Sequence, residues 1–320
     1  MSGEQVDRRG FMKRALLASA GTTAALSLEE EILLAAAQKP AAGPSGGTSP
    51  AAMPMGKIGK LKISRLICGG NLTSGFAHSR DLVYVSSLLR HYFTDEKVFE
   101  TWRICEECGI NTAILRLDDT VLRLLSTYRG ERGGKLQWIT QIKTKDNRLT
   151  SDAKKAIDNG AVGVYVQGGV GDRLVKEGKL DVLAEFVEFA RKSGVIGGIG
   201  SHSLDVPVAC EKAGIEPDFY MKTLHGTKYW SHRLDDVHDN VWSRTPEKTI
   251  AFMRKVRRPW IAFKVLAAGA ISPTIGFKHA FTGGADFACV GMFDFQVKED
   301  AQIIQGLFAR GIKRRRPWLG

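Results

Sequence analysis

Residues 260–290 read Trp260-Ile-Ala-Phe-Lys-Val-Leu-Ala-Ala-Gly-Ala-Ile-Ser-Pro-Thr-Ile-Gly-Phe-Lys-His-Ala-Phe-Thr-Gly-Gly-Ala-Asp-Phe-Ala-Cys-Val290. A run of strand formers, Trp260–Val265, precedes a helical segment that starts at Pro273, and a second apolar run, Phe287–Val290, follows it. Strand, helix and strand in this order form a βαβ unit with parallel strands.

The alternation extends back through the chain. Further strand candidates are Ser64–Cys68, Thr112–Leu115, Leu136–Ile142, Gly163–Gln167, Val195–Gly200 and Phe219–Thr223. Helical patterns lie between them, at Asp95–Cys108, Thr120–Tyr128, Ser151–Asn159, Leu180–Ser193, Leu204–Ala213 and Pro246–Val256, with Lys298–Arg310 at the end. Ser151-Asp152 and Thr245-Pro246-Glu247 carry helix-start chemistry, and Gly109, Gly160, Gly194 and Gly214 stand at helix ends. Eight such units in about 250 residues predict a (β/α)8 TIM barrel, whose catalytic groups come from the C-terminal strand ends. A doubly wound open sheet fits less well, because the first strand runs into Cys68-Gly-Gly-Asn71 with no GxGxxG turn.

The chain has 320 residues, 43% hydrophobic and 25% charged, with a net charge of +12. That balance supports a full core and excludes disorder and disulfide-stapled miniproteins. Its 5 cysteines include one CxxC spacing, Cys105-Glu-Glu-Cys108, which falls inside a helical pattern and reads as packing. The basic clusters Arg254–Arg258 and Lys313–Arg316 match no nucleic-acid motif, so anionic lipid or cell-wall polymer is the better expectation.

In front of the barrel, residues 1–37 resemble a twin-arginine export signal. Arg8-Arg9-Gly-Phe11 precedes a weakly apolar stretch, and Ala35-Ala36-Ala37 offers a cleavage site. The expected location is periplasmic or extracellular, with the twin-arginine translocase as a partner during export and no transmembrane segment after cleavage. These residues hold four basic and five acidic side chains, so the positive balance belongs to the rest of the chain. Residues 38–56, rich in Pro, Ala, Gly and Ser, read as a flexible linker, 57–312 as the barrel and 313–320 as a basic tail.

If large branched residues face the helices, Ala262 with Lys264 and Tyr220 with Lys222 face the barrel axis, as do Gly163, Tyr165 and Gln167. Arg116, Asp118, Gln141, Lys143, Ser201 and His202 stand at strand ends, and Asn71, His78 and Arg80 in the first loop. Such a mouth is electropositive and suits an anionic or sugar-like small molecule, or an enolate. The candidate catalytic residues are Lys143, His202, Lys222, His225, Tyr229 and Lys264; Asn71, His78, Arg116, Gln167 and Trp230 are the candidate substrate contacts. The long loop after the sixth strand adds His232, Asp235 and His238, a candidate divalent-metal set, and Tyr229, Trp230 and Trp242 offer stacking faces for a sugar ring.

Ile63-Ser-Arg-Leu-Ile-Cys-Gly-Gly70, Glu106-Glu-Cys-Gly-Ile-Asn111, Gly197-Gly-Ile-Gly-Ser-His-Ser203 and Phe263-Lys-Val-Leu-Ala-Ala-Gly-Ala-Ile271 together resemble the aldo-keto reductase superfamily, across about Lys60 to Lys313. The resemblance implies an oxidoreductase acting on a sugar or related carbonyl compound, with NADP held at Gly291, Met292 and Asp300. Of that family's Asp-Tyr-Lys-His tetrad only the Lys is matched, as Lys143; Thr112-Ala-Ile-Leu115 stands where the Asp belongs, and Gln167-Gly168 where the His does. The departures keep open a non-redox lyase, epimerase or hydrolase using a Lys base or a metal, and a non-catalytic glycan-binding barrel.

Overall fold

A computed structural model describes residues 52–77, 82–144, 148–229 and 243–320. An antiparallel hairpin, β1 (Met55–Ile58) and β2 (Leu61–Ser64), comes first. It turns through Gly59-Lys60, with Gly59 at φ 56°, the left-handed conformation that such a two-residue turn requires of its first member. Eight parallel strands follow and close into a barrel: β3 (Leu66–Gly69), β4 (Thr112–Arg116), β5 (Gln137–Ile142), β6 (Gly163–Val166), β7 (Ile196–Ser201), β8 (Phe219–Thr223), β9 (Trp260–Phe263) and β10 (Phe287–Val290). The sequence reading of a TIM barrel is therefore correct, and the strand bounds it gave shift by at most two residues.

Helices α1 (Tyr84–Tyr92) and α2 (Asp95–Glu107) follow β3, and α3 (Asp119–Gly130) and α4 (Leu149–Asp158) follow β4 and β5. After β6 come two, α5 (Gly168–Lys176) and α6 (Leu180–Lys192). The rest are α7 (Asp205–Lys212), α8 (Pro246–Met253), α9 (Pro273–Gly283) and α10 (Asp294–Ala309). Two of these, α1 and α5, have no counterpart in the periodic pattern, and α5 starts on two glycines that mask its helical character.

Two apolar layers share the barrel wall. Inside it pack Ile67, Ile114, Ile139, Tyr165, Phe219, Met221, Ile261 and Phe287, closed at one end by Ile58 and Ile63 of the hairpin. Outside, Trp138, Val164, Ile199, Tyr220, Trp260 and Ala262 meet the helices. This reverses the expectation that Tyr220 and Ala262 point to the axis. On the inner side of β7, Gly198 stands beside Tyr165 and Phe219 in register, and a Cβ there would overlap the Phe219 ring. The wall lacks side chains at that level, so close packing draws the largest rings of neighbouring strands inward.

Residues 53–56 and 313–320 are built into the fold. Met55 and Gly56, in the segment read as linker, already belong to β1, and Met53 is buried. In the segment read as a basic tail, Arg314 and Arg316 flank the fully buried Asp286 at 3.2 and 3.4 Å. Arg314 donates to the carbonyls of Gly284 and Ala285 behind α9, and Arg316 to that of Met253 at the end of α8. Trp318 lies over Arg65 and Arg314, whose guanidinium carbons are 4.1 and 3.3 Å from its ring centre.

Candidate active site

The C-terminal ends of β7, β8 and β9 gather the titratable groups, and a residue from α5 joins them. At the end of β7, His202 leaves the strand with its Nδ1 2.8 Å from Asp172 Oδ2. The Asp172 carboxylate also accepts from the backbone N–H groups of His202 (3.1 Å) and Ser203 (2.9 Å). The imidazole packs at 5.6 Å, centre to centre, from the Phe263 ring.

Lys222, at the end of β8, is 1% exposed. Its ammonium donates to the His202 carbonyl at 2.6 Å, to Thr223 Oγ1 at 2.7 Å and to the Thr223 carbonyl at 3.2 Å. All three N–H groups are thus taken by protein acceptors, although burial lowers the group's pKa to about 8, against the pull of Asp172. Lys222 pins two strand ends together.

Lys264 follows β9 directly and differs in two ways. Its backbone sits at φ 57°, a left-handed conformation that costs a branched-Cβ-free side chain roughly 1 kcal/mol or more. Burial lowers its pKa to about 7, with Asp172 again opposing. An amine in that range is substantially neutral at physiological pH and is therefore nucleophilic and basic. Two more left-handed residues, Ala267 and Ala268, follow in the same loop.

The other sequence candidates fall into distinct surroundings. Arg116 stands at the end of β4, its Nε 2.8 Å from Asp118 and its guanidinium 3.8 Å from the Phe76 ring centre. Gln141 accepts a hydrogen bond from Tyr165 OH at 3.0 Å. Lys143 is exposed, and Asn71 is exposed in the turn after β3, where its carbonyl accepts from Phe76 N and Ala77 N. Gln167 caps α5, its Oε1 accepting from Val170 N at 3.1 Å, a structural task where a substrate contact was expected. His225 is fully buried: its Nε2 accepts from Ser243 N at 2.9 Å and its Nδ1 faces Gly226 O at 2.8 Å, so this ring is neutral and fixes the loop ends. Tyr229 packs against it at 6.1 Å. His78, Trp230, His232, Asp235 and His238 lie outside the described residues, as do the export signal and residues 38–51. Among the described residues no group of three His, Cys, Asp or Glu side chains is placed to hold a metal ion.

At the end of β10 the residues present do not fit a nicotinamide nucleotide's phosphate. Met292 is packed in the outer apolar layer and Asp300 is 3% exposed, its carboxyl raised to about 7 by burial. The first turn of α10, where a phosphate would meet backbone N–H groups, already carries the Asp294 carboxylate, which accepts from Tyr92 OH at 2.5 Å and Lys97 Nζ at 3.1 Å. Gly291 is closed over by Leu72: a Cβ there would lie 3.1 Å from Leu72 Cγ.

The sequence reading missed Asp172. The signal available was Gln167-Gly-Gly-Val-Gly-Asp172, a glycine run directly after a strand, which marks a close backbone approach.

No protein-family model matches the chain, and no curated protein matches it by sequence. Solved structures do. Two are of Pseudomonas aeruginosa proteins assigned to the aldo-keto reductases. One superposes with a TM-score of 0.56 at 16% identity, covering 79% of this chain and 93% of that one; the other gives 0.58 at 14%, covering 80% and 97%. A truncated 3-deoxy-D-arabino-heptulosonate 7-phosphate synthase from Thermotoga maritima gives 0.50 at 12% identity, covering 82% and 96%. These superpositions show the shared (β/α)8 fold.

Proposed function

We propose that the protein is an enzyme of carbonyl chemistry in which the Lys264 amine attacks the carbonyl carbon of a small anionic or sugar-like substrate, in a non-redox lyase or epimerase reaction. The observation that carries this reading is Lys264 itself: a desolvated amine on a left-handed backbone at the catalytic end of the barrel, next to an aspartate–histidine pair. In the step proposed, the Lys264 nitrogen forms a bond to carbon, the carbonyl oxygen takes one proton from a site acid and one from the amine and leaves as water, and an iminium remains. Arg116, backed by Phe76, supplies a cation at the rim for the substrate's anionic group. Borohydride reduction in the presence of pyruvate or glyceraldehyde 3-phosphate, followed by peptide mass spectrometry, is expected to label Lys264. Absence of label on any lysine would remove the reading.

An oxidoreductase using NADP is the second reading, and it rests on the sequence resemblance across the barrel and on the match of Lys143. Because the start of α10 is poorly suited to a phosphate, it requires the nucleotide to be held by other residues. Titration of NADPH fluorescence with the purified protein tests it, and no change in emission up to millimolar nucleotide would end it.

We also propose export through the twin-arginine route, on the strength of Arg8-Arg9 and the short weakly apolar stretch behind them. The paired substitution Arg8→Lys and Arg9→Lys is expected to leave the protein in the cytoplasmic fraction.

A further inference from the structure

We propose that His202 is the acid–base group of this site, exchanging protons with the substrate through Nε2, and that Asp172 on α5 is its positioning residue. The proposal deepens the Lys264 reading and rests on it.

The geometry starts with α5, the additional helix after β6. A Cβ on Gly171 would overlap the Gly200 carbonyl oxygen, and one on Gly168 would lie 2.9 Å from His202 Cε1. Only with glycine at both places does the helix press against the end of β7 and bring Asp172 under His202. The carboxylate then meets two backbone N–H groups and the ring in one place.

That arrangement selects a tautomer. Backbone N–H groups only donate, so the Asp172 oxygens serve here as acceptors, from the ring as from the two N–H groups. His202 Nδ1 therefore carries the proton given to Asp172, and proton exchange with the substrate falls to Nε2. The residue's carbonyl is held as well, by Lys222 Nζ at 2.6 Å and Thr223 Oγ1 at 3.1 Å. A residue whose sole task was to end a strand would not need its ring, N–H and carbonyl fixed by two separate elements. Among the described residues, those recorded against His202 include Asp172 from α5, Lys222 and Thr223 from β8 and Phe263 from β9, while Lys264, just after β9, lies in the field of the same Asp172.

The chemistry of an iminium needs such a group twice. On the way in, protonated His202 gives the proton with which the carbonyl oxygen leaves as water. On the way onward, neutral Nε2 takes a proton from the carbon beside the iminium, whose C–H electron pair becomes the enamine double bond. No electrons are exchanged with any other reagent.

The test uses the mature protein and pyruvate as probe, reading exchange of methyl protons for deuterium by NMR beside borohydride labelling of Lys264. His202→Gln and Asp172→Asn are expected to lower the exchange rate about 100-fold or more, with labelling slowed but still located on Lys264. In Asp172→Asn the pH profile of exchange departs from that of wild type, because the carboxylate that holds Nδ1 is gone; thermal melting within a few degrees of wild type shows that the turn after β7 has survived. Labelling with unchanged exchange and an unchanged pH profile in Asp172→Asn overturns this proposal alone. Failure of the wild-type protein to become labelled overturns the Lys264 reading and this one with it.

Discussion

At Lys264 three local properties coincide: a left-handed backbone, an ammonium deprived of water and the field of Asp172. Their effect on stability has a definite sign. The unfolded chain holds this proton up to about pH 10.5 and the folded chain only to about 7, so stability rises with pH across that window and the full penalty is present below it. Lys222 contributes in the same direction from about pH 8. Urea titrations of wild type at pH 7 and 9 are expected to show the higher midpoint at pH 9, and Lys264→Met to narrow the gap while abolishing turnover. The two lysines read alike in sequence, as apparent inward charges near a strand end. The structure separates them by backbone conformation: Lys264 takes a left-handed φ just beyond β9, whereas Lys222 stays within β8 and spends its three donors on His202 and Thr223.

Between strands and helices, glycine does the sorting. The inner face of β7 offers Gly198 and Gly200 beside Tyr165 and Phe219, and this vacancy turns the large rings of β6 and β8 toward the axis. Gly198→Ala places a methyl group on the Phe219 ring and is expected to destabilise by about 1–3 kcal/mol, read as a lower urea midpoint. Gly171→Ala acts on the site instead: it lifts α5 off the end of β7, so turnover falls at least about tenfold, with a smaller loss of stability. If instead Gly171→Ala leaves turnover intact, the close approach of α5 to β7 is not needed to hold Asp172 at His202.

At several helices of the barrel the end charges are ordered along its axis. Helices of a (β/α)8 barrel run opposite to the strands, so their first turns lie at the mouth and their last turns at the hairpin end. Acids stand in the first turns, among them Asp95, Asp119, Asp152, Asp181, Asp205 and Asp294; bases stand in the last, with Arg129, Lys155, Arg191, Lys192 and Lys212. Each sign complements its end of the helix dipole. The net charge of +12 is thus no measure of the mouth, and part of it is spent where Arg314 and Arg316 meet the last carbonyls of α9 and α8. Asp286 anchors that end, also accepting from Trp260 N and Leu319 N. Asp286→Ala leaves buried guanidiniums without their carboxylate and is expected to cost about 3–5 kcal/mol, seen as a large fall in melting temperature.

The alternation of strand and helix patterns was enough to determine the barrel, its eight strands and the end at which chemistry belongs, because hydrophobic period and helix-end residues are local properties of the chain. Arg116, His202, Lys222 and Lys264 were legible as strand-end residues for the same reason. Which face of β8 and β9 points inward, and what each polar residue does, was decided by tertiary packing. Strands buried on both sides carry no polar face to mark their direction, so the missing side chains of β7 settle it. Gln167 and His225 look like ligands until Val170 and Ser243 claim them, and Asp172 looks like a surface helix residue until Gly168 and Gly171 let it reach His202. Hydrogen-bond partners thirty residues apart are set by the three-dimensional path of the chain, which local spacing does not encode.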